Sequence, residues 1–521
     1  MKAFVQNHAQ DVIGVVSGFD RLVFRGTIRQ LAFLDGMKTY LATRHVLLKD
    51  FGRHAQEMTK LLKEAATHMV TQKGRPVVYL ESSKTRKEEV ARDIAQRDGI
   101  TEGTIALLTC VEPCVSYDIF RNRETKRLEL RPRRRQCLSL YHYQLHPVLG
   151  FMHTRIQSWF PFSIHVCING REWLARQMDS QGLKYQRRDN CFTWLGEPER
   201  AQKLMDKQLR TRWPRLLGSL ARELNPAHKR MFGNFVAPYY WSVFQSEWAT
   251  DVMFRDAGTL ARIYPPLVRH GIQAFASPDV MRFLGQKLPA HGHVNGNFKG
   301  EVVSDMRHRP EGIRIKHRVN ANSVKLYDKQ GSVLRFETTI NRPRDFKVYR
   351  CKEDDSNGER AWRPMRQGVA DLHRRAKVSQ AANDRYAEAL AAVDVSTPLG
   401  QQVAGLCQPT ELNGRRVRAL RPWSPDDFAL LKAINQGEFV INGLRNRDLR
   451  ELLCEPTDSP VERRRQSARI SRQLRLLRAH GLLKKIPRTH RYQLTFTGRQ
   501  TITALLAAHA ASTARLADLA A

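Results

Sequence analysis

Between residues 462 and 481 the chain reads "ERRRQSARISRQLRLLRAHG". Ile470, Leu474 and Leu477 recur at i, i+4 and i+7, one face of an α-helix, with Arg465, Arg469, Arg472 and Arg475 on the opposite face. Gly481 supplies the stop. A helix with so narrow an apolar stripe gains most of its stability by burying that stripe against neighbours. The surrounding sequence provides them. "SPDDFALLKAINQG" predicts a helix with Ser424 at its N-cap and Pro425 at N1, and "RNRDLRELL" a shorter second one. After the glycine, "LLKKIPRTHRYQLTFTGR" reads as two short strands and "TITALLAAHAAS" as a last helix. These elements define a module at 421–521, preceded by an expected linker at 396–420.

The order helix–helix–helix–wing, with the phrase "LRAHGLLKKIPRTHRYQLTFTG", resembles the winged helix-turn-helix of MarR-type regulators over about 100 residues. The resemblance implies a third helix read into the major groove and a wing on the adjacent backbone. Carried onto this sequence, the contacts would come from Arg465, Arg469, Arg472 and Arg475 in the helix. The wing would add Lys484, Lys485, Arg488, His490 and Arg491. Residues 421–521 hold 18 basic and 9 acidic side chains, which suits that use. MarR-type modules often dimerise, so a homodimer is a further implication, although the helices that would form it are short here. The alternative is a winged helix used only for packing or protein contact.

Charge points the same way across the whole chain. There are 87 Lys+Arg against 51 Asp+Glu, a formal net charge of +36. So basic a chain meets polyanions, and nucleic acid is the first expectation, DNA before RNA. No basic amphipathic anchor stands at either end, which makes a membrane surface the weaker rival. Residues 121–135, "RNRETKRLELRPRRR", concentrate eight basic residues, among them Arg133, Arg134 and Arg135. "RIQSWFPF" sets aromatics beside arginines; such rings can stack unpaired bases but more often fill a core. No 18-residue apolar run is present, and "MKAFVQNHAQDVIG" lacks signal-peptide order, so a cytoplasmic protein with no membrane partner is expected. The eight cysteines are scattered, only "CVEPC" brings two close, and reduced packing residues are expected rather than disulfides.

At 521 residues the chain exceeds one ordinary core. The body is expected as α/β (α+β) with mixed or antiparallel sheets, in two regions, 1–230 and 231–395. Helical spacing fills most of 1–75. "GRPVVYLES" and "TIALLTCVEP" read as strands around the helix "TRKEEVARDIAQRDG". "QCLSLYHYQLHPVLGFMHTRIQSWF" splits at "HPVLG" into a hairpin, and 160–195 reads as a β-α-β unit entered through Asn169-Gly170. "YYWSVFQSEWATDVMF" is a strand, followed by a helix interrupted at Pro265-Pro266, the loop "LPAHGHVNGNFKG" and strands from about 300 to 341.

Within those last strands, "SVKLYDKQGSVLRFETT" folds back at Gln330-Gly331-Ser332. Period two places Lys325, Tyr327 and Lys329 on one face of the first strand, and Arg335 and Glu337 on one face of the second. A phenol can attack a phosphodiester if a cation stabilises the phenolate and the phosphate is neutralised. Lys325, Lys329 and Arg335 are the cations. Glu337, with Glu247 and Asp251 from "SEWATD", could hold Mg²⁺ or Mn²⁺.

"KLYDK…LRFE" is similar to a pattern in the rolling-circle replication initiators of plasmids and filamentous phages, over about 15 residues. The resemblance implies metal-dependent nicking of one DNA strand, with Tyr327 as nucleophile left on the 5′ phosphate, Lys329 as neighbouring cation and Glu337 as metal ligand. Many such enzymes also carry two histidines around an apolar residue on a strand. That trio is missing here, since "HGH" at 291–293 centres on glycine in an expected loop. Tyr327 and Glu337 would otherwise be a structural cross-strand network. The phrases "SGFDRLVFRGTIR", "HPVLGFMHTRIQSWFPF" and "INGREWLARQ" further resemble a group of bacterial proteins of similar length, from which no activity follows.

Other patterns are less specific. Asp20 could meet phosphate or form a buried ion pair. His142 and His146 are four apart, about 13 Å in a strand and unsuited to one metal, whereas His146 and His153 could face each other across the turn. Walker, GxGxxG and GxSxG loops are missing, which argues against nucleotide hydrolysis and serine-hydrolase chemistry. Three functions therefore stay open: a tyrosine-dependent nicking enzyme, a carboxylate-site nuclease without covalent intermediate, and a non-enzymatic regulator or ribonucleoprotein component.

Overall fold

The computed structural model describes residues 1–286, 300–309, 312–352, 355, 358–391, 399–435, 439, 444–486 and 489–513. The expected loop "LPAHGHVNGNFKG", up to residue 299 and with its "HGH", and Arg488 lie outside them.

The strands combine alternating burial, as over residues 21–28, with continuous burial, as over Val333–Ile340. In chain order they are β1 (Val12–Ile28), β2 (Val77–Leu80), β3 (Gly103–Arg121), β4 (Leu128–His146), β5 (Gly150–Gln157), β6 (Ile164–Asn169), β7 (Tyr185–Arg188), β8 (Cys191–Leu195), β9 (Tyr239–Phe254), β10 (Val302–Arg309), β11 (Gly312–Val319), β12 (Asn322–Lys329) and β13 (Val333–Ile340). Eleven form one sheet in the order β10-β11-β12-β13-β9-β1-β6-β5-β4-β3-β2. β2 runs parallel to β3, while β3–β4, β4–β5, β5–β6, β1–β6, β10–β11 and β11–β12 are antiparallel. The sheet is therefore mixed, and the protein is a mixed α/β chain.

The chain divides into two compact units, each assembled from separated segments. One comprises 16–249 and 339–377, the other 1–15, 250–338 and 378–521.

In the first unit the helices α1 (Lys87–Arg97) and α2 (Gly170–Asp179) join the strands. Asn169 caps α2 by accepting from the amides of Arg171 and Glu172, 2.8 and 3.1 Å away. Gly170 is required there because a Cβ would stand 1.6 Å from the Phe19 carbonyl oxygen. "LKYQRRDNCFTWL" does not return to the sheet as one strand. It breaks at Asp189, whose φ is +49°, into the separate hairpin β7–β8. β3 and β4 are 19 residues each, and β2 and β5 flank only their inner halves, at 107–110 and 139–146. Their outer halves form a two-stranded ribbon. Pro113 and Pro132 are tolerated in it because each strand has one unpaired edge there. Cys114 and Cys137 are joined by a disulfide across this ribbon, which corrects the expectation of reduced cysteines; Cys110 is a buried free thiol as expected. β4 and β5 pair His146 with Gly150 and His153 with Tyr143, so the two histidines do not face each other.

In the second unit α3 (Ala257–Gln273) runs unbroken through Pro265 and Pro266. The two lost amide donors are offset by the Asp256 cap and by a buried face of Leu260, Ile263, Tyr264, Leu267 and Val268. α4 (Leu372–Leu390) follows β13 in sequence and reaches this unit from Val378 onward. The C-terminal elements are α5 (Pro425–Ile434), α6 (Asn446–Leu453), α7 (Pro460–Ala479), the antiparallel pair β14 (Leu483–Lys485) and β15 (Tyr492–Leu494), and α8 (Phe496–Ala510). A bridge from Leu444 to Tyr492 adds a third short pairing. Ile470, Leu474 and Leu477 enter one apolar cluster with Leu430, Ile434, Leu449, Leu482, Leu494 and Ile502. The expected linker is not bare chain. Residues 399–420 hold a helix and a small hairpin, and Leu406 and Leu420 pack into that same cluster.

Candidate functional site

The hairpin turn is set by Gln330 and Gly331, at φ +58° and +77°, with the Asp328 carboxylate accepting from the Gly331 amide at 2.9 Å. The turn brings the two polar faces together. Lys325 Nζ lies 2.5 Å from Glu337 Oε1, and the Tyr327 hydroxyl donates to Oε2. The Arg335 guanidinium carbon is 6.0 Å from the Tyr327 ring centroid and pairs at two points with Asp251. Lys329 is buried. Burial pushes the Glu337 carboxyl up, but the charges of Lys325 and Arg335 and the two hydrogen bonds outweigh it and hold the group well below the usual carboxylate range. Tyr327 is 7% exposed and Glu337 2%. The phenol thus has a proton acceptor in contact, but it points at that carboxylate rather than at solvent. Asp251 has both oxygens on Arg335, which positions it as a counter-ion. Glu247 is half-buried on β9, with a carboxylate oxygen within 4.8 Å of one on Asp20. Asp20 is buried and accepts from Asn190 Nδ2 at 3.0 and 2.9 Å.

A second polar constellation occupies one face of the sheet in the other unit. Register aligns Arg25 of β1 with His165 of β6, His165 with Arg155 of β5, and Arg155 with Tyr141 of β4. At the end of this row, Glu112 of β3 accepts from the Tyr141 hydroxyl at 2.7 Å and from Arg155 Nε at 3.0 Å, with Lys87 Nζ at 3.2 Å. The chemistry repeats that of the hairpin: one carboxylate ringed by a phenol, a lysine and an arginine. Burial pushes the Glu112 carboxyl up, but these donors prevail and leave it lowered. Two residues along the same strands, on the same face, lie His153 and Cys167. Desolvation, with Arg21, lowers His153 to about 3, and burial raises the Cys167 thiol despite the nearby Arg21. A neutral imidazole and an un-ionised thiol do not make a nucleophilic pair.

The basic residues named from sequence stand in two exposed arrays. On α7, Arg465, Arg469 and Arg472 are exposed and Arg475 half-buried, with Arg465 3.8 Å from Glu462 and Arg469 3.7 Å from Asp426. Lys484, Lys485 and His490 are exposed and Arg491 half-buried beside them in sequence. On the β3–β4 ribbon, Arg133 and Arg134 are exposed, Arg133 paired with Asp118 at 2.9 Å, and Arg135 lies 4.2 Å from the Trp159 ring centroid.

No protein-family model, curated protein or solved structure matches the chain. Sequence reasoning missed Glu112, Tyr141, Lys87 and His165. The signal for His165 was legible: "HTRIQ" and "IHVCIN" alternate buried apolar residues with polar ones at period two, so one sheet face had to be polar. Glu112 and Lys87 carry no such pattern, because their partners are distant in sequence.

Proposed function

We propose that the protein binds nucleic acid, DNA in preference to RNA, with α7 and the β14–β15 wing as its reading surface. The observation that carries this is the division of α7: Ile470, Leu474 and Leu477 are buried in the cluster, while Arg465, Arg469 and Arg472 are exposed along the other side. The element order and the Leu444 bridge support a winged helix of the MarR type, whose third helix enters the major groove. The β3–β4 ribbon is a second basic surface, of a width that a major groove admits. Both act through phosphates, so affinity should fall steeply with salt, with log K dropping by ~0.9 per log unit of salt for each phosphate neutralised on duplex DNA. Fluorescence anisotropy with a labelled duplex over a salt series tests this, and a flat dependence would sink every nucleic-acid reading.

Strand nicking by Tyr327 is a second reading, favoured by the direct hydrogen bond from its phenol to Glu337. Its burial weighs against it, because in-line attack needs the phenol at the phosphate. For a hard ion such as Mg²⁺ or Mn²⁺, Asp20 and Glu247 bring two carboxylate oxygens within 4.8 Å of one another, with Asp20 also accepting from Asn190, while the oxygens of Glu337 and Asp251 accept from lysine, tyrosine or arginine. Labelled single-stranded DNA with Mn²⁺, run on a denaturing protein gel, separates nicking from binding alone.

A further inference from the structure

The polar row on the sheet face holds more cation than its one carboxylate can satisfy. Lys87 and Arg155 both reach Glu112, and Arg155 Nε also meets Ser139 Oγ at 3.1 Å. Arg25, two strands away, has a buried Nε with no hydrogen-bond partner, and between it and Arg155 the buried Nε2 of His165 also has none. Buried donors left unmade are costly, and two of them side by side on adjoining strands call for a shared acceptor. The nearest charges only sharpen this. Desolvation, then Arg155 and Arg25, holds His165 down to about 3, so near neutral pH it is an uncharged imidazole able to donate through one nitrogen. Next to it, Phe244 stacks on His165 with ring centroids 5.1 Å apart and planes at 22°, yet stays 46% exposed. An exposed aromatic beside an anion-seeking pair has the chemistry of a nucleotide site: donors for a phosphoryl oxygen and a ring for a base.

We infer that Arg25 and His165 bind the phosphoryl group of a single nucleotide whose base stacks against Phe244. This goes beyond the groove-reading surface on α7 and uses none of its residues. Arg25 Nε and His165 Nε2 donate to phosphoryl oxygens, Arg155 adds charge from the neighbouring strand while Glu112 and Ser139 hold it in place, and Phe244 selects a planar partner.

Isothermal titration of the full chain with dAMP, with inorganic phosphate and with deoxyadenosine tests the assignment. Saturable dAMP binding is expected, weaker binding of phosphate, and weaker binding again of the nucleoside. Arg25→Gln should weaken dAMP and phosphate alike by about tenfold or more, the loss of a charged hydrogen bond. Phe244→Ala, a change at an exposed position, should weaken dAMP by about fivefold or more and leave phosphate unchanged. If Arg25→Gln does not fold, the Phe244→Ala contrast between dAMP and phosphate still decides. The Arg469→Glu/Arg472→Glu variant must retain dAMP binding, which separates this site from the α7 surface. The inference is overturned by no saturable dAMP binding, by dAMP binding indifferent to Phe244→Ala, or by binding lost in the α7 variant.

Discussion

Arg335 and Asp251 form a two-point ion pair between fully buried side chains, Nε to Oδ1 at 2.5 Å and the second nitrogen to Oδ2 at 2.8 Å. Breaking such a pair by removing one partner leaves an uncompensated buried charge, at a cost of about 3–5 kcal/mol. Asp251→Asn should therefore lower the urea midpoint strongly. Replacing both residues, as Asp251→Leu with Arg335→Met, should cost clearly less than either single change. Chemical denaturation of the three variants checks this, and additive losses would mean that the two side chains act independently.

Tyr327→Phe follows a different rule. It removes the phenol that donates to Glu337 and leaves a buried carboxylate oxygen short of a partner, so a stability loss of about 1–3 kcal/mol is expected. DNA affinity should stay within about twofold of the parent, since the phenol faces inward. A radiolabelled band at protein mass that disappears in this variant would instead establish the nicking reading.

On α7, Arg469→Glu with Arg472→Glu should weaken duplex binding and flatten its salt dependence. The slope of log K against log salt should fall by about 0.9 for each phosphate that the variant no longer neutralises. Circular dichroism should be unchanged, because both residues are on the exposed side of a helix whose stripe is intact. An unaltered slope would move the binding surface away from α7.

What was readable in the sequence follows from the range of the interactions. The C-terminal helices and the Lys325–Tyr327–Glu337 cluster were legible because each rests on short spacing: i, i+4, i+7 in one case, and period two around a tight turn in the other. The Glu112–Tyr141–Arg155–Lys87 cluster was not, since it draws on three strands and a helix whose adjacency only the sheet order fixes. The same limit applies to Asp251. "SEWATD" suggested a metal carboxylate, but its partner Arg335 is 84 residues away in sequence. Local chemistry misled in one further place: Pro265-Pro266 signals a break, and the buried face of α3 overrides it.

His142 gives the pH dependence. It is 1% exposed on β4, neither ring nitrogen has a hydrogen-bond partner, and desolvation, aided by Lys73, lowers it from 6.5 to about 4. A group with a depressed folded value is neutral in both states above pH 6.5 and contributes no pH dependence there. As pH falls below 6.5 the unfolded chain takes up the proton first, so stability is lost progressively down to about pH 4 and the loss then levels off. At 1.36 kcal/mol per unit the shift corresponds to about 3 kcal/mol for this residue alone. His142→Phe removes the titration while keeping a ring of similar size. Thermal unfolding of parent and variant between pH 7 and pH 4 should therefore show the parent losing about 3 kcal/mol more than the variant over that range. Parallel curves would mean that His142 finds a partner for its proton and that acid sensitivity arises elsewhere.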